Sequence, residues 1–233
     1  MKKSGKKKAA VLFSALIILC LIVFVCIKAF SPLIKYNNAS RLLQNGQYAE
    51  AAEIFESLGD YKDSGRLYTA ALMADPQLMQ VGAVISYGDY ENEPIQWFVA
   101  SVREDKVLLV SCNALTERRF DDDSNDWVTS EIRDWLNGEF YGNAFTEEEM
   151  GRIAVTEEGD KVFLLNRSEF TVLPDSVRSC NNGSGGAVWW LRSPGYVNIN
   201  VTYVYSYGTV NVRGCDASKN TLGVRPAIWI SLE

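Results

Sequence analysis

Residues 81–112 read VGAVISYGDYENEPIQWFVASVREDKVLLVSC, and three short segments within them decide the fold class. VGAVISYG, PIQWFVASV and DKVLLVSC are rich in β-branched and aromatic residues, with turn-forming residues between them. Such a succession predicts an antiparallel meander. Further along, DDDSNDW at 121–127 reads as a polar loop. TSEIRDWLN at 129–137 opens with a capping hydroxyl and places Ile132, Trp135 and Leu136 at i, i+3 and i+4, predicting a short amphipathic helix. Thr146 and Glu149 have the spacing of a capping box for another helical turn. KVFLL at 161–165 reads as a strand and Pro174 to Gly186 as a loop. AVWWLR, the alternating run NVTYVYSYGTVNV and the terminal GVRPAIWI complete the strand set. Helices inserted between groups of strands predict an α+β domain over residues 80–233.

Upstream of the meander the pattern is helical, from about Tyr36 to Met79. The first segment stops at Asn45-Gly46, a helix C-terminal signal. QYAEAAEIFESLG then places Tyr48, Ala51, Ala52 and Phe55 at helical spacing, and DYKDSGRLYTAALM does the same for Tyr61, Leu67, Tyr68, Ala71 and Leu72. Asp75-Pro76 closes the run. The order Leu42, Gly46, Tyr48, Ala51, Ala52, Phe55 resembles the helical hairpin of tetratricopeptide repeats. It occurs once, whereas a solenoid needs about three stacked units. The expectation for 31–79 is therefore a helical stalk, joined through a short link at 31–35.

Ala9 to Phe30 is apolar except for Lys28, long enough to cross a hydrocarbon core of about 30 Å as a helix. The preceding KKSGKKK, in the basic tail 1–8, predicts a cytoplasmic N-terminus and an outward-facing remainder. A cleaved signal peptide is the rival reading. Its apolar core is shorter, and no small-x-small cleavage site follows here. The expected localisation is the cell membrane, single-pass, with the C-terminal domain extracellular.

Charge divides the chain. Six of its 23 basic residues fall within the first 28 positions and its first acidic residue is Glu50, leaving 17 basic against 29 acidic residues, a net of −12, in the remainder. That surface repels phosphate backbones, so a nucleic-acid partner is not expected. The chain has no histidine, which excludes Ser-His-Asp and Cys-His catalysis within it. Cys112, Cys180 and Cys215 lie outside the apolar segment and allow at most one internal disulfide.

The candidate binding residues lie late in the chain. Val197, Ile199, Val201 and, after a slip, Val204 alternate with Asn198, Asn200, Thr202, Tyr203 and Tyr205, which predicts one buried and one exposed strand face. Tyr207 and Arg213 extend the exposed set, whose chemistry matches that of adaptable paratopes. Trp190 and Arg192 are candidates for a sugar-stacking platform, although adjacent strand residues face opposite ways and at least one of Trp189 and Trp190 should be core. Arg192 and Arg225 are equally readable as internal anchors. No cofactor is expected. Asp121, Asp123 and Asn125 alternate as calcium ligands do, but Asp126 and Ile132 stand where an EF-hand needs Gly and Glu. Glu131, Asp134 and Asp160 are the carboxylates available to a hydrolase.

PIQWFV, LLVSCNAL, WVTSEIRDWLNGEFYGNAF, DKVFLLN, WWLRSPG and GVRPAIWI, in this order, resemble an uncharacterised domain of Gram-positive bacterial surface proteins, domain of unknown function 6273. The likeness covers about 150 residues from Gly88 to the C-terminus. It departs at Cys112, where a charged residue is usual, and at the acidic loop 121–126, which replaces a shorter turn. The layout is similar, more loosely, to the C-type-lectin-like fold, which implies an extracellular ligand-binding scaffold. The expectation is a membrane-anchored binding module for a glycan or a protein. The alternatives are a carboxylate-dependent envelope hydrolase and an assembly or sensor subunit using its helical segment.

Overall fold

A computed structural model describes residues 31–232; the basic tail and the apolar segment 9–30 lie outside the described residues. Within 31–232 no helix is long and apolar enough to cross a membrane. The chain divides into two compact units between Ala74 and Asp75.

In the first unit, α1 (31–44), α2 (Tyr48–Leu58) and α3 (Ser64–Ala74) follow one another. Residues 31–35, expected as a link, are helical. The turn after α1 falls at Asn45-Gly46, where Gly46 adopts φ +75° and Gln47 N–H bonds to Leu42 O at 2.9 Å. Ala39, Ala51 and Phe55 form the centre, with Tyr36, Leu42, Ile54, Leu67 and Tyr68 packed around them. Small residues on α1 and α2 let the helices approach, and Phe55 fills the space between. The Tyr36 hydroxyl donates to Asp63 at 2.5 Å.

The second unit is α+β, as its pattern predicts. β1 (Val84–Tyr90), β2 (Glu93–Val102) and β3 (Lys106–Ser111) form the expected meander. Then come β4 (Thr116–Glu117), α4 (Glu131–Trp135), a π-helical turn (Leu136–Phe140), α5 (Tyr141–Ala144), α6 (Glu147–Arg152) and β5 (Ile153–Ala154). α7 (Arg167–Phe170) and α8 (Asp175–Arg178) precede β6 (Trp189–Pro194), β7 (Asn200–Val204), β8 (Val210–Asp216), β9 (Gly223–Val224) and β10 (Ala227–Ser231). One sheet has the order β1-β2-β3-β10-β5 and is antiparallel throughout. The other runs β4-β9-β6-β7-β8, antiparallel except at β6-β9. Ser130 caps α4, and the capping box at Thr146–Glu149 forms, with both reciprocal bonds present.

The chain passes between the sheets after β3, β4, β5 and β9. Arg225 sits at the last of these crossings, 1% exposed. Its Nε donates to Ser111 O at 2.7 Å and its Nη1 to Val177 O at 2.8 Å, and its Cζ lies 4.9 Å from the centre of the Trp189 ring. Arg225 is thus an internal anchor. Its partners are carbonyls, which a planar guanidinium can gather from separate chain segments. Burial lowers its pKa, and burial also pushes up the Cys112 and Cys180 thiols beside its charge.

Two strand expectations are corrected. KVFLL pairs only through an isolated bridge between Phe163 and Ala227. Side chains replace the ladder there: Asn137 Oδ1 accepts from Lys161 and Val162 N–H, Asn137 Nδ2 donates to Val162 O, and Arg192 donates to Leu164 O. The run 200–212 is not one strand but a hairpin, β7 and β8, turning at 205–209. Gly208 has φ +88° at that turn, a conformation a residue without Cβ takes readily.

Candidate functional site

The β7–β8 hairpin brings three tyrosines together. Tyr203 pairs with Asn211 and Val204 with Val210 across the strands. The chain then turns, with Tyr205 N–H bonding to Thr209 O at 2.8 Å. The rings of Tyr203 and Tyr205 meet edge to face at 5.1 Å, and those of Tyr205 and Tyr207 are stacked at 5.1 Å and 7°. Tyr207 at the tip is 70% exposed.

Asn211 organises this face. Its Nδ2 donates to the Tyr205 hydroxyl at 2.7 Å and the Tyr203 hydroxyl at 3.0 Å. Its Oδ1 accepts from the backbone N–H of Arg213 and Gly214 at 3.0 and 3.1 Å, closing the irregularity where the register shifts between Val201 and Tyr203. Gly214 has φ +76° there, and a Cβ on it would lie 2.6 Å from Val201 O. One amide therefore fixes both the bulge and the tyrosine ladder. Asn211 is absent from the residues singled out by sequence, because its role depends on cross-strand pairing.

The hydroxyls are electrically unequal. Burial, then the hydrogen bond with Tyr205, pushes Tyr203 up to about 12. Tyr205 is lowered, because Tyr203 and then Asn211 donate to its oxygen. Cys215 is pushed up to about 11 by burial, and Cys112, Cys180 and Cys215 are all free thiols. The face therefore offers exposed π surface, hydroxyls in a fixed row and, at Arg213, an exposed cation in no ion pair among the described residues. It suits stacking and hydrogen bonding.

The other expected site residues disperse. Trp190, proposed as a platform, is fully buried: its indole N–H donates to Arg118 O at 2.8 Å and its ring contacts Phe120 at 6.0 Å. Trp189 is equally buried, against Phe170 at 5.9 Å. β6 is central in its sheet and covered on both faces, so alternation exposes neither ring. Arg192 is an anchor, bidentate to Glu169, with Glu158 at 3.4 Å. Asn198 is exposed in the turn before β7, and Asn200 lies at the start of the strand with its Nδ2 directed to Arg213 O at 3.4 Å. The alternation also fails in detail. Val197 and Ile199, expected inside, are 53% and 43% exposed because the strand begins only at Asn200. Thr202, expected outside, is buried with its hydroxyl on Ser193 O at 2.9 Å, the bulge having moved the register.

In the acidic loop, Asp121 Oδ1 accepts from Asp123 and Ser124 N–H, and its Oδ2 from Glu131 N–H. Asn125 turns its Nδ2 to Val197 O and Asn200 O at 3.1 and 3.0 Å, supporting the turn that leads into the hairpin. Among the described residues no group of three or more Cys, Asp or Glu is placed to hold a metal ion. Asp160 is buried, at 2.5 Å from Arg133 and 2.8 Å from the Trp127 indole nitrogen. Glu131 holds Arg119 through both oxygens.

Fold and site together define an α+β domain of two curled, mainly antiparallel sheets with an exposed aromatic hairpin at one sheet edge. The chain belongs to the family described as domain of unknown function (DUF6273), whose model matches residues 104–232. No curated protein and no solved structure matches it.

Proposed function

We propose that this chain is a membrane-anchored surface protein, non-catalytic, whose second unit binds an extracellular glycan or protein through the tyrosine face of the β7–β8 hairpin. The observation that carries this reading is the ladder of Tyr203, Tyr205 and Tyr207, with Asn211 bonded to two of its hydroxyls. Tyrosine contributes a large amphipathic contact area at low entropy cost, and here two of the rings are oriented before any ligand arrives. Tyr207, at the tip of the turn, leaves 70% of its surface free for a ligand.

The wider reading rests on other supports. The basic cluster and apolar run at the N-terminus support a single membrane span at 9–30 with the second unit outside. Two curled sheets joined through Arg225 support a C-type-lectin-like arrangement. The α1–α2 hairpin, centred on Ala39, Ala51 and Phe55, supports a tetratricopeptide-like spacer.

The test is a glycan array and a cell-wall pulldown with the purified protein, wild type against Tyr205→Ala/Tyr207→Ala. Capture by wild type and its loss in the double variant is the expected result. Capture that persists undiminished in the variant removes the hairpin from the binding surface.

A further inference from the structure

A second concavity lies on the other sheet. Ser101 pairs with Leu108, Leu108 with Trp229, and Trp229 with Ala154, so one row of side chains crosses β2, β3, β10 and β5 on a single face. This row floors a cavity of about 320 Å³, at the small end of ligand pockets. Trp229 is only half-buried, in a strand otherwise nearly enclosed.

Charge over this floor is segregated. On the β2–β3 side, Arg103 and Lys106 lean over the indole, with Cζ and Nζ 4.5 and 5.5 Å from the ring centre. Neither forms an ion pair among the described residues, although Glu104 and Asp105 stand between them in the chain. The opposite wall is acidic. Arg192 at its back is neutralised by Glu169 and Glu158, which leaves Glu157, exposed at the rim, without an ion-pair partner among the described residues. Val155 and Val172 on the same wall are 59% and 44% exposed. Two cations, an aromatic floor, apolar rim groups and a carboxylate opposite are complementary to a molecule bearing both charges and an apolar body.

We propose that this pocket binds a small zwitterion of the amino-acid or short-peptide class. Its carboxylate meets Arg103 and Lys106, its side chain lies against Trp229, and its amine faces Glu157. None of the hairpin tyrosines lines the cavity, so the two sites are separable.

Calorimetric titration of the purified full chain with leucylalanine, its C-terminal amide and its N-acetyl derivative tests this, with free leucine as the arm separating amino acid from peptide. The dipeptide should bind saturably. The amide and the N-acetyl form should each bind about tenfold more weakly, the scale of one lost charge-assisted contact. Arg103→Gln/Lys106→Gln should reduce the dipeptide to the level of its amide, and Glu157→Gln to that of the acetyl form. Tyr205→Ala/Tyr207→Ala should leave the titration unchanged. Absence of saturable binding, equal affinity for all three forms, or an acetyl form as tight as its parent overturns the assignment.

Discussion

β6 and the β7–β8 hairpin are neighbours in one sheet and draw on similar residues, yet their aromatics have opposite fates. Trp189 and Trp190 have adjacent positions on a central strand. One ring packs against Phe170 and the other against Phe120, and both indole N–H groups reach backbone carbonyls. Tyr205 and Tyr207 project from the turn beside an edge strand, stacked on one another next to Tyr203 and Asn211. What differs is the number of layers available to cover them. Burial of an aromatic follows its place in the sheet at least as much as its place in the strand.

Removing a ring from each region should have opposite consequences. Trp190→Ala should cost about 3–5 kcal/mol, the range for truncating a large core aromatic, read from denaturant unfolding. A loss near that of a surface substitution would show that the ring is not core. Asp160→Ala probes another buried polar contact of the same unit. It takes the acceptor from Arg133 Nε and from the Trp127 indole N–H, while Arg133 keeps its bonds to Val128 O and Glu158 O. The change should cost about 2–3 kcal/mol, seen as a lower melting temperature.

Within the hairpin, Gly214→Ala should cost about 1–3 kcal/mol through positive-φ strain and the close approach to Val201 O, with faster amide exchange at Asn211 and Arg213 as its local mark. Tyr207→Ala should change stability by no more than about 0.5 kcal/mol while reducing ligand capture; a large stability loss would make the tip structural. The smallest effect is spectroscopic. In Asn211→Leu, Tyr205 loses a donor that stabilises its phenolate, so its ionisation should move to higher pH in an ultraviolet titration. An unmoved titration would mean that the amide does not hold the ladder.

Local pattern carried the meander, the helical hairpin and the short capped helices, because each depends on neighbours within one or two turns. It misjudged KVFLL, where Asn137 and Arg192 supply the hydrogen bonds that a partner strand would, and nothing near 161–165 signals this. It read 200–212 as one strand, although Ser206-Tyr207-Gly208 holds the turn signal. It selected Tyr203, Tyr205, Tyr207 and Arg213 for the candidate face yet passed over Asn211, whose importance exists only once β8 lies beside β7.

Residue order alone gives an acidic, histidine-free α+β domain preceded by helices, together with its meander and its capped helical turns. Periodicity reports that two sides of an element differ; it cannot report what covers either side. That both tryptophans are enclosed, that one asparagine holds two tyrosines, and that Ser101, Leu108, Trp229 and Ala154 form one row are consequences of the folded chain. Those outcomes depend on pairing between strands far apart in the chain, which no local pattern encodes.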